Sequence, residues 1–186
     1  NGSCTRISLP SPFPKKHRPI VLCYAIKVHK GSTRQELETW VEALDRILEQ
    51  HPSEKGLVHT ANYSLADFII RNSRYSSRLL SHVSSNREGV LIDFKQSSLP
   101  LVLVSPSMAT GVDLPYDQCR FQVLGKVAWP DRGEMQVALR MAMADGDTWY
   151  ASRAAAAAVQ AYGRGVRAAD DTCCFYILDS SFKYLY

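Results

Sequence analysis

The chain is predicted to be an α/β domain, with a largely parallel central sheet flanked by helices on both sides. Three observations carry that reading. Short β-rich runs alternate with segments of helical periodicity along the whole length. One run, residues 101–105 (LVLVS), is apolar without alternation, as a strand buried on both faces is. The chain has 186 residues, 46% hydrophobic and 22% charged, which is one ordinary domain with enough apolar mass for a core and no mark of disorder.

Residues 1 to about 19 carry prolines at 10, 12, 14 and 19 and read as an extended entry segment. Residues 19–28 (PIVLCYAIKV) are a β-rich run. Ser32 is expected to open a helix, with Gln35 as its capping-box partner. Leu37, Trp40, Val41, Leu44, Ile47 and Leu48 then recur at helical spacing, and Pro52 stands just past the end. Residues 56–60 (GLVHT) form a short buried strand, and Asn62 or Ser64 can cap the helix after it. Residues 87–95 are an amphipathic helix with Val90, Leu91 and Phe94 on one face. Strands follow at 101–105 and 121–124. Residues 134–144 and 148 to about 162 read as helices, the second driven by the alanine run 154–158. Residues 173–178 (CCFYIL) are the last strand. No internal repeat or low-complexity linker divides the chain, so residues 1–186 are expected to form a single domain.

The net charge of +4 suits a polyanionic partner, but many metabolic enzymes share it. The five cysteines, Cys4, Cys23, Cys119, Cys173 and Cys174, include no CxxC pair. Adjacent Cys173 and Cys174 should point to opposite faces of a strand. Free thiols in a reducing compartment are therefore expected, rather than a zinc site or a disulfide framework. No apolar run approaches the roughly 18 residues of a membrane span. The opening NGSCTRISLP is not a signal peptide and reads as the interior of a longer protein.

Ligands of parallel α/β folds gather beyond the carboxyl ends of the strands, which directs attention to the loops. Gln160 to Arg167 contains two arginines three residues apart, and on one side of a helix both forks could reach one phosphate. Gly163 and Gly165 there indicate a helix end or a close approach of another backbone. The plainer reading is a last helical turn whose cations complement the dipole. After the apolar strand, Ser105, Ser107 and the free N–H groups around them suit phosphate oxygens. Asp113 could orient an arginine or bind a ribose hydroxyl, or simply form a turn before Pro115. His59, Thr60, Asn62, Tyr63 and Ser64 combine polar side chains with a helix N-terminus, an anion-binding arrangement. His59 alone is more in keeping with a packed or surface histidine than with a catalyst. No nucleophile–base pair and no His/Asp/Glu cluster of metal-binding spacing stands out. There is no GxxxxGK[ST] phosphate loop, so arginines facing a nucleotide would have to act in trans.

Taken in order, KGLVHTANYSLADF (55–68), VLVSPSMATGVDLP (102–115) and QAYGRGVRAADDTCCFYILD (160–179) resemble motifs IV, V and VI of superfamily 2 helicases. The branch they resemble most is the one containing the bacterial DinG and eukaryotic XPD helicases. SPFPKKHRPI (11–20), REGVLIDFKQS (87–97) and GKVAWP (125–130) extend the resemblance over roughly residues 10–182. It implies a RecA-like three-layer domain, the second of two motor domains. The first would carry the Walker motifs and, in many members, an iron–sulfur cluster, which is possible only in that absent half.

By the same resemblance, Arg164 and Arg167 would be arginine fingers on the γ-phosphate of ATP, bound with Mg2+ between the two motor domains. Gln160 would couple nucleotide to nucleic acid, and Gly111, Asp113 and Gly163 would line the nucleotide side. Thr60, Asn62, Tyr63, Ser105 and Ser107 would grip single-stranded DNA. Thr110 departs from the pattern, since an acidic residue often precedes the motif V glycine. The implied activity is an ATP-dependent DNA helicase moving 5′ to 3′, inactive as an isolated domain. Its place would be the cytoplasm for a bacterial or phage protein, or the nucleus for a eukaryotic one. The alternative is a non-catalytic, helicase-derived module binding nucleic acid or protein. An unrelated phosphotransfer or hydrolytic enzyme using Asp113 and His59 would lack a second carboxylate.

Overall fold

The computed structural model of the chain describes residues 7, 11–108 and 111–185. Among them six strands form one all-parallel sheet. In chain order the elements are β1 (Ile20–Ile26), α1 (Arg34–Gln50), β2 (Gly56–His59), α2 (Tyr63–Asn72), β3 (Leu79–Ser81) and α3 (Arg87–Gln96), then β4 (Val102–Ser105), β5 (Phe121–Leu124), α4 (Met135–Met141), α5 (Gly146–Tyr162) and β6 (Cys174–Asp179). The strands lie in the order β1-β6-β5-β2-β4-β3.

That order explains the layers. The chain steps one way across the sheet from β1 to β3 and then returns through β4, β5 and β6. With right-handed crossovers, the reversal sends later connections to the opposite face. On the first face Val58, Val102, Val104, Phe121, Val123, Tyr176 and Leu178 pack on Trp40, Leu44 and Leu48 of α1 and on Leu65, Ala66 and Ile69 of α2. On the second face Leu124, Phe175 and Ile177 meet the small side chains Ala154, Ala158 and Ala161 of α5. Leu57 and Leu103 there meet Phe94 of α3 together with Met108, Val112 and Leu114. Over β2, between α3 and α5, the β4–β5 connection itself therefore serves as the cover. Cys173 and Cys174 diverge as expected, Cys173 into the second face and Cys174 against the first.

Several sequence expectations shift. The α1 capping box is Thr33 with Glu36, one residue beyond the expected Ser32 and Gln35. Thr33 Oγ1 accepts from Glu36 N at 3.2 Å, and the Glu36 carboxylate accepts from Thr33 N at 2.7 Å. A carboxylate is the stronger acceptor and also suits the positive end of the helix. Ser32 turns back instead, its hydroxyl accepting from His29 N at 3.0 Å. Asn62, rather than Ser64, caps α2 through its side-chain oxygen to Leu65 N at 2.8 Å. Strand β3, unforeseen, is a three-residue edge strand beside β4.

In the entry segment Lys15–His17 forms a short 3-10 turn rather than extended chain. His17 and Pro19 carbonyls then accept from Cys173 N and Phe175 N, both at 2.9 Å, docking the segment beside β6. The earlier part of that segment (1–6 and 8–10), Cys4 and Thr110 fall outside the described residues. Among the described residues no helix is long and apolar enough to cross a membrane.

Candidate functional site

Helix α5 ends at Tyr162, with Gly163 as its C-cap at φ −70°. Arg164 and Arg167 thus lie in the turn beyond the helix, not on a helix face as their spacing suggested. Gly163 marks the helix end, and Gly165 accounts for the close approach. A Cβ at Gly165 would collide with Cys173 Sγ and the Gln122 amide, so only glycine lets the turn lie against the sheet. Gln122, on β5, donates from Nε2 to Tyr162 O at 3.2 Å and holds the turn there.

The arginines converge by another route. Gly111, at φ +70°, turns the β4–β5 connection. Val112 and Leu114 then enter the core while Asp113 between them faces outward, its side chain 63% exposed. Asp113 Oδ1 pairs with Arg167 Nη2 and lies 3.8 Å from Arg164 Nη1. Arg164 also donates to Val112 O at 3.4 Å and to Gln160 Oε1 at 3.1 Å, and Arg167 Nη1 donates to Gly163 O at 3.3 Å. Gln160, Gly163, Arg164, Arg167, Gly111 and Asp113 therefore form one cluster over the second face.

Asp171 orders this cluster and drew no notice in the sequence. Fully buried, it accepts from Tyr116 N at 3.1 Å, Arg167 N at 3.2 Å and Thr172 N at 2.8 Å, and it pairs with Arg120 Nη1 at 3.4 Å. One carboxylate so ties the connection before β5 to the arginine turn. Nothing in the local pattern AADD (168–171) separates it from its exposed neighbour Asp170.

At the carboxyl ends of β2 and β4 the expected strand-gripping residues divide. Thr60 is buried and donates to Asn62 O at 3.0 Å. Ser105 is placed differently from its expected role facing a phosphate backbone. Its hydroxyl is buried, lies 2.7 Å from His82 Nε2 and accepts from Ser107 N and Met108 N, both at 3.2 Å. A hydroxyl so engaged shapes the loop from within. Asn62 is half-buried as the α2 cap, while Tyr63 and Ser107 are exposed, with Tyr63 Oη 3.1 Å from Ser84 Oγ.

His59 lies between the two regions. Its Nε2 is 3.0 Å from Gln122 Oε1, so Gln122 bridges the end of β2 to the arginine turn. Burial lowers the His59 pKa to about 4, the Gln122 hydrogen bond opposes that shift, and the Arg164 charge adds to it. The ring is neutral at neutral pH, which removes it as a proton donor there. Among the described residues no group of three His, Cys, Asp or Glu side chains could hold a metal ion.

The fold that carries this cluster is shared with known proteins. The chain matches the helicase C-terminal domain over residues 44–184 and belongs to that family. Its fold is similar to an XPD structure in the apo state, with a TM-score of 0.73 at 17% identity, covering 91% of this chain and 37% of that one. Similarity to S. tokodaii Xpd4 gives 0.66 at 16% identity, over 90% of this chain and 35% of that one. S. cerevisiae Dbp5 bound to RNA and ADP BeF3 gives 0.61 at 11% identity, over 96% and 40%. The chain thus spans well under half of each of these proteins. No curated protein sequence matches it.

Proposed function

We propose that residues 1–186 are the second motor domain of a DinG/XPD-like, ATP-dependent DNA helicase, completing an ATP site whose phosphate loop lies on a first motor domain. The observation that carries this reading is that Arg164 and Arg167, from one turn, address a single oxygen of exposed Asp113. Two forks that can share one carboxylate oxygen can share one phosphate oxygen, so the residues present fit the γ-phosphate of ATP. In this reading Asp113 holds both side chains in place before nucleotide arrives, and Gln160 fixes the direction of Arg164. Gly111 and Gly163 shape the two loops that bring these groups together.

ATP supplies the phosphoryl transfer, and Mg2+ would be held with it chiefly by the first domain. Fingers of this kind contribute about 10³–10⁵ in rate. Tyr63 and Ser107 are the exposed groups offered to single-stranded DNA, while Thr60, Asn62 and Ser105 order their loops. The His59–Gln122–Tyr162 bridge gives the strand-side and nucleotide-side loops a shared support during domain closure.

The test is DNA-stimulated ATP hydrolysis by this chain mixed with a first motor domain. We expect no turnover from the chain alone, turnover in the mixture, and a loss of about 10³-fold or more for Arg164→Ala. Hydrolysis by the chain alone, or an unaffected Arg164→Ala mixture, would overturn the proposal. Because both arginines already have partners within the chain, a second reading is a non-catalytic, helicase-derived binding module. It predicts strand or partner binding indifferent to loss of both arginines, and no turnover in a mixture shown to associate.

A further inference from the structure

The two edges of the sheet are unequally protected. At one end β3 is three residues long, and brevity is one way an edge avoids pairing with another chain. At the other end stands β1 (IVLCYAI), seven residues without charge, proline or glycine. It has β6 on one side and, among the described residues, no strand on the other. Pro19 O accepts from Phe175 N at 2.9 Å and so faces β6. Successive residues of a strand turn their N–H and C=O groups to alternate sides, so Ile20 and Leu22 present theirs at the outer edge.

The side chains there are apolar and open. Ile20, Val21 and Leu22 are 52%, 38% and 52% exposed, whereas Cys23, Ala25 and Ile26 pack against the first-face core. The register with β6 shifts between Leu22 and Ile26, so the regular part of the edge is residues 20–22. Ile20 and Leu22 lie beside Phe175 and Ile177 and share their second face. On that face α5 and the C-terminal turn (Ser180–Leu185) leave a groove of about 170 Å³, lined by Ile20, Val159, Tyr162, Phe175, Ile177 and Leu185. A strand added to β1 would lay alternate side chains over Ile20 and Leu22 at the mouth of this groove.

Charge decides what kind of strand fits. Lys15 and Lys16 stand exposed before the open stretch, and Lys27 and Lys30 after it. Among the described residues none of the four is in an ion pair. The first acidic residue of the whole chain is Glu36, so the flanks of β1 carry basic charge alone. A second copy paired here, in either direction, would set lysines beside lysines. Asp or Glu at both ends of the added strand would meet them with opposite charge.

We infer that the outer edge of β1 docks a strand of a partner protein, apolar at its centre and acidic at both ends. This edge is available whether or not Arg164 and Arg167 act on a nucleotide.

The probe is a fluorescein-labelled peptide with an alternating Val/Thr core of about six residues and an aspartate pair at each end. Its binding to the chain is followed by anisotropy. The same core flanked by lysine pairs should bind about tenfold more weakly, the worth of roughly two surface ion pairs. N-methylation of the acidic peptide at alternate, edge-facing residues should abolish binding. In amide hydrogen exchange followed by NMR, saturation with the acidic peptide should slow Ile20 and Leu22 about tenfold or more. Val21, whose N–H faces β6, should not change. Leu22→Pro removes one outward donor at a position where an edge strand tolerates proline, and should weaken binding. Leu22→Ser weakens the apolar contact without touching the backbone, and carries the test if circular dichroism shows the proline variant unfolded.

Equal binding of the two peptides, indifference to N-methylation, or unchanged exchange at Ile20 and Leu22 overturns the inference. So does a dimer in sedimentation that Leu22→Ser abolishes, because the edge would then hold a second copy.

Discussion

His59 makes acid stability a direct probe of the site. Gln122 donates through Nε2 to Tyr162 O, so its Oε1 is the acceptor and His59 Nε2 carries the hydrogen. The bare nitrogen is Nδ1, which is buried and has no hydrogen-bond partner among the described residues. A proton added there becomes a buried charge with no acceptor, in the field of Arg164, and the pKa falls from its ordinary 6.5 to about 4.

Between those values the unfolded chain binds a proton that the folded chain refuses. Stability is therefore full above pH 6.5 and is lost as the solution is acidified toward pH 4. At 1.36 kcal/mol per pH unit the whole window is worth about 3 kcal/mol, of which about 2 kcal/mol is gone by pH 5. Urea unfolding followed by tryptophan fluorescence at pH 7.5 and pH 5 measures this. His59→Phe removes the titration while leaving the carboxylates that also respond to acid. It strands Gln122 Oε1 and lowers stability at both pH values by about 1–3 kcal/mol, so the informative quantity is the change between them. Wild type should lose about 2 kcal/mol more than His59→Phe on going to pH 5. Equal losses in the two proteins would refute the buried, neutral imidazole.

Two further outcomes follow from the packing of the arginine turn. Asp171→Ala strands three backbone N–H groups and leaves Arg120 with Asp117 as its remaining carboxylate. It should cost about 3 kcal/mol and lower Tm by about 10 °C in a thermal melt; a fall of less than about 3 °C would show that the carboxylate is not the tie described. Gly165→Ala drives a methyl group into Cys173 Sγ and the Gln122 amide. The expected loss is about 2 kcal/mol, read from the urea midpoint and restored in part when Cys173→Ala removes the nearest atom, Cys173 Cβ and Gln122 Nε2 staying at 2.8 and 2.9 Å. Failure of that rescue would place the strain elsewhere.

Short-range chemistry is written in the order of residues along the chain. Trp40, Leu44 and Leu48 recur every four residues and define the buried side of α1 wherever it packs, and the unbroken apolar run at β4 admits only a strand covered on both faces. The candidate residues Gly111 and Asp113, and Gln160, Arg164 and Arg167, were legible as two separate strings, which the fold brings together. Strand β3 escaped notice because three residues carry no periodicity. The end of α5 near Tyr162 was legible from the helical pattern and Gly163, whereas the three-residue spacing of the arginines suggested a shared helix face that the turn does not provide.

Which groups meet across the fold depends on long-range packing. Asp113 and Arg164 are 51 positions apart by their numbers. They come together because the β4–β5 connection crosses over β2 in the space that α3 and α5 leave open. The same long-range geometry turned Ser105 inward to His82 and gave Asp171 its buried position. Hydrophobic period is a property of neighbours in sequence, whereas a hydrogen bond or ion pair forms wherever the crossovers of the sheet bring two groups within about 3 Å.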